Sequence, residues 1–193
     1  MAASATPMGA EPVDGLSACG SFSGKVRHIK IASGYAADVF YGDFVKLVST
    51  GTVEKDTGTA TMTPVGIFMG CFYTDPNTSQ PTFNQMWPTG TVASDAMAYV
   101  LDDPDAVFRM QADDSLAQTT LGNNIAVVQT AGSTTIGRSK NAVDASTAAT
   151  TNTLPLRILE FMDGPDSEVG DAYTDVLLTY NWGMHQYRNA TGV

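Results

Sequence analysis

Charge is what this sequence has least of. Asp, Glu, Lys and Arg make up 16% of its 193 residues, well below the roughly one-quarter usual in globular domains. Basic residues are scarcer still: ten against twenty acidic ones, for a net charge of −10. That deficit argues against gripping a nucleic-acid backbone, which needs Lys and Arg to neutralise phosphates. It also keeps loose copies soluble and apart. The two cysteines, Cys19 and Cys71, have no CxxC partner, so there is no zinc or redox signature. Two isolated buried thiols are preferred to a Cys19–Cys71 disulfide. No apolar run approaches the about 18 residues of a membrane helix. The opening "MAASATPMGAEPVDG" has neither the basic patch nor the apolar stretch of a secretory signal, so synthesis and retention in a cytoplasm are expected.

What is present is a chain 43% hydrophobic, at a length whose compact fold buries about 70% of its unfolded surface. A core without disulfides is therefore expected. The surface would be short of charge and rich in Thr, Ser, Gly and Ala, a composition that fits a protein covered by neighbours in an assembly.

Residues 1–24, rich in Ala, Ser, Gly and Pro and without periodicity, read as an extended N-terminal arm. Residues 25–193 read as one β-barrel or β-sandwich domain. Its expected strands are "VRHIKIAS", with a bulge where the alternation slips at His28–Ile29, then "YGDFVKLV" and "PVGIFMGCFY", whose glycines signal bends or close backbone approach. "TFNQMW", "AMAYVL" and "AVFRMQA" follow, the last with Phe108 and Met110 opposed to Val107, Arg109 and Gln111. "NIAVVQT" and "STTIGRS" read as a strand pair, "PLRILEFM" and "TDVLLTYN" as the last two strands. "SLAQTTLG" reads as one or two helical turns capped by Asp114 or Ser115 and ended by Gly122. "NAVDASTAATTNT" reads as an exposed polar loop. Eight to ten short strands without strand–helix alternation make the expected class all-β and antiparallel.

Signs of chemistry are few. The "DDPD" stretch, Asp102, Asp103 and Asp105 around Pro104, admits two readings: a hard-cation site or a turn. The EF-hand spacing is missing, Pro104 suits the second position of a turn, and a preceding Asp can bond the backbone two residues on, so the turn is preferred. His28 and His185 lie in no metal-ligand or nucleophile motif, and structural or interface roles are expected for both. No P-loop, dinucleotide fingerprint or zinc-protease motif occurs. No catalytic residue, metal site or cofactor is therefore expected. Phe68, Phe72 and Tyr73 belong to a core strand by alternation. Phe83 and Trp87 flank a turn. Trp182, His185 and Tyr187 crowd a late surface segment, where either packing within the chain or an oligomer contact would employ them.

Four segments in order, "GYAADVFYGDFVKLVSTG", "PVGIFMGCFY", "MWPTGTVASDAMAYVLDDPDAVFRMQAD" and "LPLRILEF", resemble the auxiliary head proteins of tailed bacteriophages. The resemblance spans roughly residues 34–182 and is one of strands and turns, with no invariant catalytic motif. It implies a capsid decoration (cement) protein: a non-enzymatic virion component, made in the host cytoplasm, that binds the outer surface of the major capsid protein shell and stabilises it. Such proteins are commonly homo-oligomers, often trimers, with a terminal arm that clamps neighbours. Neither nucleic acid nor membrane is an expected partner. Loops such as 141–153 would supply contacts between copies. By position alone, Val13, Leu16, Phe22, Trp182, His185 and Tyr187 are the candidate capsid or oligomer contacts. Two alternatives stand beside this reading. One is a head–tail connector, head-fibre base or tail component. The other is a carbohydrate-binding β-sandwich for host attachment, with Trp87, Trp182 and Tyr187 stacking on sugar rings and the Asp cluster holding calcium.

Overall fold

A computed structural model describes residues 4–13, 25–164 and 167–193. It is built from antiparallel strands in two six-stranded sheets. The first sheet contains β1 (Glu11–Val13), β8 (Val107–Gln111), β9 (Asn124–Val128), β10 (Ala142–Ala149), β11 (Leu156–Phe161) and β12 (Asp175–Tyr180), in the order β1-β8-β12-β11-β9-β10. The second contains β2 (Val26–Lys30), β3 (Phe44–Leu47), β4 (Val53–Lys55), β5 (Gly66–Thr74), β6 (Pro81–Asn84) and β7 (Met97–Leu101). Its order is β2-β7-β5-β3-β4, with β6 paired to the far end of β5. Each sheet curls back on itself. A bridge between Ala112 and Val143 brings β10 to the end of β8, and one between Ile31 and Val53 brings the end of β2 to β4.

The all-β antiparallel expectation is met, with two cores rather than one inside the stretch 25–193. Phe108, Met110, Ile125, Val127, Leu156, Ile158, Val176 and Leu178 fill the first sheet. Ile29, Ile31, Val45, Val53, Phe68, Cys71, Ala98 and Val100 fill the second. The alternation of strands explains how the two are joined. Val45, Phe68 and Val100 point into the second core, whereas Phe44, Ile67 and Leu101, one residue off in each strand, point out of it and complete the first. Phe44 meets Phe108 edge-to-face at 5.6 Å. Within the second sheet, Gly66 lets β5 approach β7 closely: a Cβ there would lie 2.2 Å from the Leu101 carbonyl oxygen.

A buried carboxylate ties the same seam. Asp43 is 0% exposed. It pairs with Lys55 Nζ at 2.8 Å and accepts hydrogen bonds from the Phe40 amide at 3.0 Å, Ser139 Oγ at 2.6 Å and Asn141 Nδ2 at 3.2 Å. Lys55 and Phe40 belong to the second-sheet side; Ser139 and Asn141 lead into β10. Residues 4–13 of the arm lie extended over this junction. Ala10 N–H donates to Gly42 O and Gly9 N–H to Asn141 O. Gly42 sits at φ +87°, and its Cβ position is crowded by the Met8 carbonyl oxygen at 2.9 Å. Glu11 bonds both Arg109 and Arg138, and β1 adds to β8 in the register Glu11–Arg109 to Val13–Val107.

Four expectations are corrected. "NAVDASTAATTNT" is largely strand β10: Val143 is buried, Ala145 and Ala148 pack on the first core, and a register shift after Asp144 absorbs the polar stretch. "STTIGRS" is a turn, closed by Gly137 N–H to Ser133 O, and β9 takes β10 as its partner instead. β2 carries no bulge; its pairing with β7 is unbroken, and the apparent slip arises because Val26 points to solvent. The irregularity lies in β5, between Phe68 and Gly70. "SLAQTTLG" holds a single 3-10 turn over Gln118–Thr120 whose leading residue, Ala117, makes no side-chain cap. Two further strands, β1 within the arm and β4, have no counterpart among the expected strands.

Asp43→Ala leaves the half-buried Lys55 ammonium and the buried Ser139 and Asn141 groups without their partner and is expected to cost about 3 kcal/mol. Urea unfolding monitored by tryptophan fluorescence measures it; a loss below about 1 kcal/mol would mean that the seam does not depend on the carboxylate.

Candidate functional site

The "DDPD" stretch is a corner between β7 and β8. Asp103 Oδ1 accepts from the Asp105 amide at 2.9 Å, and the Ala106 amide closes the turn on Asp103 O at 3.1 Å, with Pro104 in the second position as its fixed φ favours. The flanking carboxylates are engaged by side chains of the same chain. Asp102, 4% exposed, pairs with Arg27 Nε at 2.8 Å and accepts from the Tyr187 hydroxyl at 3.0 Å. Asp105 pairs with Arg188 at 2.6 Å. The corner thus clasps the C-terminal segment. Among the described residues, no three His, Cys, Asp or Glu side chains gather as a metal site would require.

The clasp shapes what the C-terminus presents. Gln186 bonds both backbone groups of Leu47, at 2.7 Å and 3.0 Å, and anchors the segment to β3. Arg188 lies over the Trp182 ring, 5.0 Å from its centre, and Arg27 lies 5.4 Å from that of Tyr187. Burial first, then the bond to Asp102, push the Tyr187 phenol up and keep it a donor. Trp182 remains 76% exposed and Tyr187 is 43% exposed. Two aromatic faces are therefore held in place by charged partners rather than left to swing.

The six candidate contacts separate accordingly. Trp182 and Tyr187 stand together on the clasp. Val13 is half-buried at the end of β1 and pairs with Val107, two residues after Asp105 of the corner. Leu16 and Phe22 lie outside the described residues. His185 is fully buried: its ring packs on Tyr180 at 4.8 Å and Tyr187 at 5.2 Å, and Nδ1 accepts from the Tyr187 amide. Its side chain therefore supports the clasp from within instead of meeting a neighbour. Burial lowers its pKa below 6.5, against smaller upward pulls from the Val65 backbone and Asp102. His28 packs edge-to-face on Tyr99 at 4.6 Å.

Trp87 is also removed from the surface. It is 0% exposed, donates Nε1–H to Tyr35 O and meets Tyr73 edge-to-face, so it cannot stack on a sugar. Phe72, expected in the core, is turned outward by the β5 irregularity and packs on exposed Phe83. Cys71 is a buried free thiol pushed up to about 12 by desolvation; Cys19 lies outside the described residues. Sequence reasoning passed over Asp43 and the Arg27–Asp102–Tyr187 group. The Gly-Asp pair at 42–43 was the only local signal, and it reads equally well as a turn.

No family model, curated protein or solved structure matches the chain. Among the described residues, no helix is long and apolar enough to cross a membrane.

Two outcomes follow from these environments. The native chain treated with iodoacetamide at about pH 8 should leave Cys71 unmodified by peptide mapping, and denaturant should expose it; ready native labelling would contradict its burial. The folded chain holds His185 neutral where the unfolded chain protonates it. Stability should therefore fall as pH drops through about 6.5, because the unfolded state then binds the additional proton. Melting curves of His185→Gln should show a shallower loss over that window; an unchanged slope would assign the pH dependence elsewhere.

Proposed function

We propose that this protein is a non-enzymatic virion component that decorates and stabilises a bacteriophage capsid shell, binding the major capsid protein as a homo-oligomer. One observation carries the reading most: Trp182, largely exposed, is fixed by the Arg188–Asp105 pair beside Tyr187, itself fixed by Asp102. An aromatic pair pre-set in this way loses little side-chain entropy on association, which is how a few residues come to dominate a protein interface. The choice of partner rests on the resemblance of four ordered segments to auxiliary head proteins. The arm's strand β1 is engaged on the chain's own β8, so clamping of a neighbour would fall to other parts of the arm, where strand addition needs little side-chain specificity. Many copies on a lattice multiply weak contacts, and binding only the expanded shell stabilises that state by mass action.

The copy number in purified particles, relative to the shell subunit, tests this reading. Hundreds of copies near parity are expected. About a dozen or fewer would place the protein at a unique vertex instead, as a connector, fibre or tail part. On shells lacking the protein, Trp182→Ala should weaken binding by about thirtyfold or more, the effect of losing about 2 kcal/mol from an interface anchor. Its melting temperature should stay unchanged, and undiminished binding would remove Trp182 from the interface.

A further inference from the structure

The outer face of the second sheet bears a feature that the capsid reading does not use. Where β5 bulges, Gly70 adopts φ +128°, and a Cβ there would meet Asn84 O at 3.0 Å. The missing side chain lets the β6 backbone close on β5, and a depression of about 450 Å³ with Gly70 in its lining lies at this point. Aromatic rings form two of its walls, and each is backed by a second ring. Phe83, 72% exposed, packs on Phe72 with centroids 4.9 Å apart. Tyr99 is braced by His28 at 4.6 Å.

The rim is polar in a particular way. Tyr41, Tyr99, Asn84 and Gln85 line the depression, and their phenol and amide groups, apart from Asn84 Oδ1, make no hydrogen bond to another described residue. Phenols and amides both donate and accept. Arg138 also faces the depression, but it pairs with Glu11, and the second arginine on Glu11, Arg109, has Asp175 beside it, so two carboxylates balance two arginines and no net charge awaits an anionic ligand. A ligand suited to this site has an apolar face for the rings and a ring of groups that donate and accept at once. A pyranose fits that description. Its axial C–H bonds carry slight positive charge toward the negative face of an aromatic ring, and each hydroxyl can both give and take a hydrogen bond. The volume lies within the about 300–1,000 Å³ of small-molecule sites, and the open, shallow form implies a dissociation constant on the order of 1 mM for a single sugar unit.

We propose that the depression over Gly70, walled by Phe83 and Tyr99, is a binding site for a neutral saccharide. The inference is independent of capsid attachment: this face lies on β5, β6 and β7, whereas the proposed shell contact lies on the C-terminal clasp. It also differs from the sugar site expected from the tryptophans, since Trp87 is buried and Trp182 does not line this depression.

The test is an amide-resolved NMR titration of the full chain. The probes are methyl glycosides of glucose, galactose, mannose and N-acetylglucosamine, together with lactose, maltose, cellobiose and chitobiose. At least one should give saturable shifts at the amides of Gly70, Asn84, Gln85 and Tyr99. Phe83→Ala should abolish them, and so should Gln85→Ala, a change at an exposed side chain that leaves the core intact. Trp182→Ala should leave them in place. Absence of saturable shifts at these amides with every probe overturns the proposal. So do shifts confined to the neighbourhood of Trp182. Concentration-dependent sedimentation that Phe83→Ala reverses also overturns it, for the face is then a contact between copies.

Discussion

The arrangement depends on placing one carboxylate, Asp43, where water cannot reach it. A buried charge is tolerated only with a counter-charge and with its lone pairs filled. Lys55 supplies the first; the Phe40 amide, Ser139 and Asn141 supply the rest. These partners come from both sheets, and none can be satisfied unless the sheets sit in one relative position. Apolar packing alone tolerates some sliding. A hydrogen-bonded charge does not, because a misplaced partner leaves a polar group dry. The arm crosses at the same point, where Gly9 bonds the Asn141 carbonyl and Ala10 bonds that of Gly42. The seam, the two cores and the N-terminal strap are thereby set by one polar cluster.

A second polar cluster performs a similar task at the other end of the second sheet. The β7–β8 corner gives its carboxylates to Arg27, Tyr187 and Arg188, and His185 fills the space beneath. Here the outcome is presentation rather than closure. Trp182 and Tyr187 are held outward by groups that are themselves tied down. The proposed attachment surface and the proposed saccharide depression thus share a principle: exposed rings kept in one orientation by a neighbour, Arg188 for Trp182, Phe72 for Phe83, His28 for Tyr99.

Much of the β architecture was legible in the sequence because period-two alternation reports a half-buried strand directly. β8 and β11 show it, with Phe108, Met110, Leu156 and Ile158 inward. The turn at Asp103–Pro104 was legible for a local reason as well: proline and aspartate act on the adjacent backbone. Alternation failed where burial did not follow period two. In β10 the inward residues are mostly alanines among Thr and Ser, so the strand carried no apolar signal. In β5 the bulge at Gly70 reversed the facing of Phe72. In β2, Val26 lies outward, and the pattern seemed to slip where the backbone does not.

Composition and local pattern by themselves determined the all-β antiparallel class, most of the strand-forming segments and the DDPD corner, because these depend on neighbours in sequence or on totals. The tertiary structure alone decided that there are two cores, that Asp43 lies between them, that His185 and Trp87 are inside while Trp182 and Phe83 are outside, and that aspartates from one corner meet arginines from both ends of the chain. Asp102 and Tyr187 stand 85 positions apart, Asp43 and Asn141 98 apart. Contacts over such separations follow from how the sheets close and pack, and no local spacing encodes them.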